Sequence, residues 1–299
     1  MPEIPDLEVY VEHLRRLVAG QRLERVRLAG WNLLRTTEPP LESTHGRRVT
    51  AVRRLGKRIV FELEGGPALA LHLMIAGRLH WRPAGVAIPK RSGLAAFDFA
   101  SGSLLLTEAS TKQRAGLHVF ADESGLSAID AGGAEPLATT PEGFAAVLRR
   151  EDHTLKRALT DPRLFAGIGN AYSDEILHRA RLSPFKRTSQ LDADETARLH
   201  DAVGSVLREW TERLRRESGD RFPEKVTAFR EGMAVHGRYG KPCPDCGAPV
   251  QRVRYAENEM NYCARCQTAG RLLADRALSR LLRDDWPRTL EELEERRRG

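Results

Sequence analysis

All four cysteines of the 299-residue chain fall in one short stretch. They form two Cys-x-x-Cys pairs, Cys243 with Cys246 and Cys263 with Cys266, with sixteen residues between the pairs. Two such pairs are typical of a closed tetrahedral Zn²⁺ site in which each pair ends a short hairpin. A disulfide interpretation requires an oxidising compartment, which nothing in the sequence supports. The pattern therefore predicts one structural zinc ion with all four positions filled by sulfur.

The chain begins MPEIPDLEVY, with a proline directly behind the methionine and a glutamate behind the proline. Once Met1 is removed, Pro2 presents a secondary amine, and an α-amino group has a pKa near roughly 8. Part of such an amine is unprotonated at neutral pH and available as a nucleophile. Taken alone, an ordinary chain start is the better interpretation. The nucleophile hypothesis needs chemistry elsewhere in the chain that would use the amine.

The charge balance favours a polyanion as partner. Lys and Arg outnumber Asp and Glu by 48 to 41, for a net charge of +7, and the pI is about 9.5. The segment 47–58 holds six cations and no acid, which could be a solvated face or one side of a groove for a phosphate backbone. No apolar run is long enough to span a membrane, and the start has no signal region. Nucleic acid is therefore favoured over a membrane as the partner, and the protein is expected in the cytosol.

The elements that must position these residues fall into two halves. The segment 7–20 has a helical pattern, and 58–66, 67–75 and 94–108 alternate with period two, the last as a hairpin around Ser101–Gly102. The Gly-, Pro- and Thr-rich segment 131–142 reads as a linker. Helical patterns follow, one of them behind the Gly167-Ile-Gly169 turn. That turn fits a phosphate site at a helix start and an ordinary helix connection equally well.

Several motifs in order resemble one family. MPEIPDLE, RRLGKRIVFEL, LHLMIAGRL, EPLATT, LFAGIGNAYSDEIL and the four-cysteine finger are similar to those of the formamidopyrimidine-DNA glycosylase and endonuclease VIII family of bacterial base-excision repair enzymes. The resemblance runs from residue 2 to about residue 267, nearly the whole chain. It implies an α+β fold that combines an N-terminal antiparallel β-sandwich, a helix-two-turn-helix module and a β-hairpin zinc finger. Damaged double-stranded DNA would lie between the domains, and a monomer is expected.

With the resemblance, the predicted domains have definite ranges. The catalytic β-sandwich covers 1–130, the linker 131–142, the helix-two-turn-helix domain 143–234, the zinc finger 235–267 and a C-terminal extension 268–299. The extension lies outside the family pattern. Leu278, Leu281 and Leu282 suggest an amphipathic helix packed on the body of the protein, and the acidic end beyond Arg283 is predicted to be solvated.

The resemblance also implies roles for particular residues. Pro2 becomes the nucleophile at C1′ of a damaged nucleotide, Glu3 the neighbouring general acid/base and Lys57 the catalytic hairpin lysine. Lys156 and Asn170 match residues that contact the lesion and the phosphates. His72 matches a DNA-contacting position too, although a strand histidine is more often packed or surface polar.

The sequence departs from the family where the family holds the extruded nucleotide. Asn258 replaces a hairpin arginine that clamps the phosphates. Arg254, four residues earlier, would lie on the same strand about 13 Å away and is a poor substitute. The family's duplex-filling positions align with Ile75, Gln113 and Ala115, of which only Ile75 could act as a wedge. Arg114 is assigned to DNA contact beside them.

Two smaller departures lie elsewhere, with Asp6 in place of a glutamate and His236 in place of a tyrosine. The segment from Ser218 to Val235 is shorter than the loop with which the formamidopyrimidine branch caps 8-oxoguanine. The departures at the duplex-filling and phosphate-clamping positions predict that loosely stacked targets are preferred, and the shortened segment points the same way.

Three functions compete on this evidence. The first is a DNA glycosylase with abasic-site lyase activity. The second is a catalytically weakened protein that binds damaged DNA on the same scaffold, and the third is a purely structural nucleic-acid-binding protein. Pro2, Glu3 and Lys57 argue against the third, because a pure binder has no need of a terminal amine.

Overall fold

The computed structural model describes residues 1–110, 112–224, 226–227, 229–255, 258–274 and 287–298. The chain divides into two compact units. Unit 1 comprises Met1–Gly133 with Arg208–Ala228, and unit 2 comprises Ala134–Leu207 with Phe229–Gly299. The predicted domain ranges stay a prediction, since this division assigns parts of the predicted helical domain to both units.

Unit 1 is a β-sandwich behind one helix. The helix is α1 (Ile4–Val18). The strands are β1 (Arg22–Leu23), β2 (Arg25–Leu28), β3 (Arg47–Leu55), β4 (Arg58–Leu63), β5 (Ala68–His72), β6 (Gly77–Arg82), β7 (Gly93–Phe99), β8 (Gly102–Glu108) and β9 (Gly116–Phe120). They form two antiparallel sheets, in the orders β1-β3-β4-β5-β9 and β2-β7-β8-β6. Short 3₁₀ helices lie at Trp31–Leu33, Leu41–Thr44 and Glu123–Ala128.

The alternating strand residues bury one face of each sheet against the other. Phe61 of β4 stacks on Phe97 of β7 with ring centroids 6.0 Å apart. The apolar face of α1, including Leu7, Val11 and Leu14, joins the same core. Burying each such side chain contributes about 1.5–3 kcal/mol, so the sheets and the start of the chain are held as one body.

Unit 2 is mainly helical and ends in a hairpin finger. Its helices are α2 (Pro141–Leu148), α3 (Leu155–Thr160), α4 (Asn170–Arg179), most of α5 (Ala193–Ser218), α6 (Ala264–Thr268) and α7 (Leu290–Arg298). Strands β10 (Gln251–Tyr255) and β11 (Asn258–Tyr262) form the hairpin, and a 3₁₀ helix lies at Thr188–Gln190. The last part of α5, from Arg208 onward, belongs to unit 1.

The predicted α+β fold class is confirmed, and one local prediction changes. Helix α2 begins inside the predicted linker, because the Thr140 hydroxyl accepts from the Gly143 N–H and Pro141 starts the first turn. The acidic end beyond Arg283 is exposed at Glu291, Glu292 and Glu295, as predicted, but Leu290 within it is only 1% exposed. The predicted helix around Leu278–Leu282 lies outside the described residues. Within the described ranges, no helix is long and apolar enough to cross a membrane.

Candidate active site

The start of α1 fixes the residues behind the chain terminus. Glu3 and Asp6 are almost completely buried, at 3% and 4% exposure. The Asp6 carboxylate accepts a hydrogen bond of 3.0 Å from the Glu3 N–H, which is part of a capping box. Pro2 is also buried. The backbone of Pro2 and Glu3 is therefore anchored to the first turn of a helix that is itself packed in the core.

The terminal amine, carried here by Met1, lies among charged groups of unit 1. Burial lowers its pKa below the ordinary 8.0. Glu3 and Asp6 raise the pKa, whereas Arg78 and Lys57 lower it. Two of the predicted catalytic residues, Glu3 and Lys57, are thus close enough to act electrostatically on the terminus. The net direction favours an unprotonated amine.

His72 joins the same surroundings from the end of β5. It is paired with Arg58 of β4. Burial, followed by Arg58 and Lys57, lowers the pKa of His72 to about 4, and the chain terminus acts in the same direction. His72 is therefore neutral at physiological pH. It can exchange hydrogen bonds here but cannot supply a positive charge to a phosphate.

The turn between β5 and β6 displays Ile75. The Gly77 N–H bonds the Leu73 carbonyl over 2.9 Å, and Met74 has a left-handed backbone with φ of 52°. A Cβ on Gly77 would lie 2.2 Å from the Leu73 oxygen, so glycine is required there. The Ile75 side chain is 60% exposed. A large apolar side chain on a tight turn has the form expected of a wedge.

A second loop, between β8 and β9, is fastened by the buried Glu108. One carboxylate oxygen of Glu108 accepts from the Arg114 N–H at 2.9 Å and from the Ala115 N–H at 3.0 Å. This leaves Gln113 and Arg114 exposed and Ala115 buried. Ala115 is thus a core residue, whereas Gln113 and Arg114 remain accessible to DNA.

In unit 2, Lys156 and Asn170 meet at the start of α4. The Lys156 ammonium donates to the Asn170 carbonyl at 2.7 Å, to Ser173 Oγ at 2.8 Å and to Asp174 Oδ1. An ammonium has three N–H donors, so Lys156 is satisfied within the protein and would have to give up a bond to contact DNA. The Asn170 side chain donates to the Glu259 carbonyl at 2.7 Å, which joins α4 to the hairpin.

Two buried acids of α4 organise the surrounding chain. Asp174 Oδ2 lies 2.8 Å from His236 Nδ1 and accepts from the Asn261 N–H at 3.0 Å. Glu175 accepts from the N–H groups of three consecutive residues, 234–236. These bonds fix His236 and the approach to the zinc finger against α4.

The hairpin overturns the expected position of Arg254. It lies on β10 opposite Glu259, while Asn258 begins β11 opposite Tyr255. The turn falls between Arg254 and Asn258, so the same-strand placement about 13 Å away is wrong. Neighbouring strands are about 4.8 Å apart and the rise is about 3.3 Å per residue, which puts the two backbones about 6 Å apart. The Arg254 side chain is 62% exposed, with its Nε 3.8 Å from the Glu259 carboxylate.

The four cysteines converge on one point at the base of the hairpin. Their sulfur atoms all lie within 4.8 Å of one another, with Cys243–Cys266 at 3.9 Å and Cys246–Cys263 at 3.4 Å. Tetrahedral coordination with Zn–S bonds near 2.3 Å requires sulfur atoms about 3.8 Å apart. The donor set and its spacing fit zinc, and His178 Nε2 lies 3.3 Å from the Cys243 sulfur, where it can orient that ligand. With four sulfur ligands the site is structural.

Comparison with known proteins agrees with this geometry along the chain. Residues 1–121 match the formamidopyrimidine-DNA glycosylase N-terminal domain, 133–218 its H2TH domain, and 240–269 the zinc finger found in FPG and IleRS. A formamidopyrimidine-DNA glycosylase of Roseiflexus sp. is 34% identical over 276 residues, covering 89% of this chain and 100% of that protein. This chain belongs to the formamidopyrimidine-DNA glycosylase family.

Solved structures of the family have the same fold. The crystal structure of MutM (FPG) from Thermus thermophilus is 33% identical, covers 89% of this chain and 98% of its own, and superposes with a TM-score of 0.74. Lactococcus lactis Fpg in complex with DNA containing an abasic site is 23% identical, over 89% of this chain and 99% of its own, with a TM-score of 0.78. The predicted resemblance and the structural zinc are confirmed.

The sequence does not indicate several residues that position the candidate residues within each unit. Arg78 acts on the terminal amine, Glu108 fastens the second loop, and Asp174 and Glu175 fix the finger. Each is an ordinary charged residue in a strand or helix pattern. Only its burial or its position in the fold distinguishes it from a charged residue on the surface. Asp6 departs from the family's glutamate, and its shorter carboxylate still caps Glu3.

Proposed function

We propose that this protein excises damaged bases from DNA and cleaves the resulting abasic site through the amine of Pro2. Membership of the family makes it a DNA repair glycosylase with abasic-site lyase activity. The observation that carries the assignment of residues is the setting of the chain start. Pro2 is buried, and the Met1 amine directly before it is acted on by Glu3, Asp6, Lys57 and Arg78.

The reaction begins at the amine. Its lone pair attacks C1′ of the damaged nucleotide, and the bond from C1′ to the base breaks, with the bonding electrons leaving on the base. The amine loses its proton, the C1′–O4′ bond then breaks as O4′ takes up a proton, and the nitrogen lone pair forms the iminium with C1′. The iminium draws electrons from C2′, so that a C2′ proton is lost and the 3′ phosphate leaves by elimination. Burial supports the first step. It lowers the pKa of the Met1 amine, and Pro2, whose amine replaces it once Met1 is removed, is itself buried, which favours an unprotonated lone pair.

Glu3 is the acid/base in this scheme. Its carboxylate lies in a buried setting next to the amine, where it can move protons to and from the sugar. Lys57 and Arg78 add positive charge around the terminus. That charge favours the free amine and can receive the phosphates of the extruded nucleotide.

Contacts with double-stranded damaged DNA are assigned to both units. In unit 1 the exposed Ile75 takes the wedge position and Arg114 faces solvent beside a fastened loop. In unit 2, Asn170 stands at the first turn of α4, and the positive end of a helix dipole favours a phosphate. The Lactococcus lactis Fpg complex contains abasic-site DNA on the same fold, which supports this partner. A monomer and a place in the cytosol remain part of the proposal.

The alternative of a weakened damage-binding protein is not favoured. It was motivated by Asn258 and Ala115. Ala115 is a buried core residue, so its small size says nothing about the extruded state. Arg254 lies one position away on the neighbouring strand, where it can take over part of the phosphate contact.

Arg254→Ala is expected to weaken binding to all DNA duplexes to a similar degree and to reduce the salt dependence of log K by about 1. The matched control is Arg252→Ala, because Arg252 lies on the same strand but packs over the Tyr239 ring at 4.1 Å. Fluorescence anisotropy across a salt series measures both. If the salt dependence of log K in Arg254→Ala equals that of the unmodified protein, Arg254 does not contact a phosphate.

The substrate test of the proposed function uses single-turnover rates on matched oligonucleotides. Extruding a base costs a few kcal/mol, and least where the base is damaged, mismatched or absent. With Ile75 as the single apolar wedge, abasic sites and oxidised pyrimidines in mismatches should be cleaved much faster than 8-oxoguanine opposite cytosine. Ile75→Ala should slow excision from fully paired duplexes more than cleavage of abasic sites. Gln113→Ala should leave the ratio of these two rates unchanged. Absence of cleavage on every one of these duplexes would refute the function itself.

A further inference from the structure

The C-terminal segment 287–293, beyond the family's zinc-finger match at 240–269, returns to the finger. Its backbone pairs with the chain that leaves α6. The Leu272 N–H donates to the Arg288 carbonyl and the Leu290 N–H to the Gly270 carbonyl, each at 2.9 Å. An antiparallel bridge joins Arg271 and Thr289 between them. We call residues 287–293 the C-terminal clasp.

A local capping arrangement starts α7 at this point. The Thr289 hydroxyl accepts from the Glu292 N–H at 3.3 Å, and the Glu292 carboxylate accepts from the Arg288 N–H at 2.7 Å. These bonds satisfy N–H groups that a helix start would otherwise leave free. The orientation of the first turn of α7 is therefore fixed relative to the finger.

The first turn places two leucines against the cysteine cluster. Leu290 is buried with Val235, Val250, Cys243 and Cys263 in one apolar cluster. Leu293, one turn nearer the end, is half-buried against the same cluster, to which Cys246 and Cys266 also belong. The clasp therefore covers the metal site with apolar side chains on the side from which it packs.

We propose that the C-terminal clasp contributes to the zinc site. The clasp holds the finger closed over the four cysteines and slows the loss of zinc. A chelator or water must reach the metal and displace a thiolate before zinc can leave, and local opening of the finger would provide that access. Leu290 opposes the opening because its side chain must leave the cluster first. This inference depends on the zinc site and not on the glycosylase reaction.

The experiment follows zinc release from the full-length holoprotein into excess chelating dye, well below the unfolding temperature. Leu290→Ala is expected to release zinc about 10- to 100-fold faster, the range found for changes around the ligands of a metal site. Leu293→Ala should lie between that variant and the unmodified protein. Leu290→Met, which keeps the apolar volume, should restore slow release, and Glu295→Gln on the exposed part of the same helix should leave the rate unchanged.

Limited proteolysis separates the proposed role from general destabilisation. In the Leu290→Ala protein, cleavage should quicken within residues 229–299 and stay unchanged within residues 1–133. An unchanged zinc-release rate in Leu290→Ala would overturn the proposal. Equal acceleration of proteolysis throughout the chain would overturn it too, since the leucine would then stabilise the protein as a whole.

Discussion

Blocking the N-terminal amine with an uncleavable tag is expected to reduce borohydride trapping on abasic-site DNA by about 10³-fold or more, the scale of loss when a nucleophile is removed. The reason is that no iminium can form from a tertiary amide nitrogen. DNA affinity should change far less, because Ile75, Arg114 and the residues of unit 2 are untouched. Trapping yield and anisotropy on the same oligonucleotide measure the two effects separately.

The pH dependence of the unblocked protein provides a second readout of the same amine. Trapping should rise with pH as the Pro2 amine loses its proton. The midpoint should lie below the ordinary α-amino value of about 8, because Pro2 is buried and burial already lowers the pKa of the Met1 amine directly before it. Arg78 lowers that pKa further, so Arg78→Gln should move the midpoint upward. A midpoint that stays in place in Arg78→Gln would mean that another group limits the reaction.

Cys263→Ser is expected to lose zinc and DNA affinity together. Changes to residues that contact the ligands lower metal affinity about 10- to 100-fold. Replacing a ligand itself should lower zinc affinity by more than that. Folding of a small zinc module depends on the metal, so the hairpin that carries Arg254 would lose its fixed position. Elemental analysis and anisotropy measure the two losses.

Arg265→Ala is the matched control for this substitution. Arg265 is exposed and lies between the two cysteines of the second pair, so its removal should leave one zinc per chain. Zinc retained at one per chain in Cys263→Ser would contradict the four-cysteine site.

The parts of the site that follow a strict local pattern could be predicted from the sequence. The cysteine spacing alone indicates the zinc site, because tetrahedral geometry admits few arrangements of four thiolates. The strands of unit 1 follow from alternation with period two and α1 from its apolar face, whereas their arrangement as a β-sandwich is implied by the family resemblance. Ile75 ends a strand pattern in the sequence, and the family resemblance rather than the local pattern indicates it as a wedge. The structure then places it in the turn between β5 and β6.

Other parts depend on which residues meet across the fold. From the sequence, Ala115 is a side chain too small to fill the duplex. In the structure its N–H donates to the Glu108 carboxylate, and the residue lies in the core. The sequence places Arg254 out of reach of Asn258 because no glycine or proline between them marks the end of a strand. The leucines of the clasp pack with the cysteines only after the chain folds back. No spacing in the local sequence predicts that contact.

The most direct test of the central claim is mass spectrometry of the borohydride-trapped adduct after proteolysis. Abasic-site DNA is incubated with the purified protein in borohydride, and the modified peptide is sequenced by fragmentation. The expected result is a single modified peptide that begins at Pro2, with the sugar remnant on the proline nitrogen and no methionine before it. A remnant on Lys57 or another lysine, with the Pro2 nitrogen unmodified, would contradict the assignment of the terminal amine as the nucleophile.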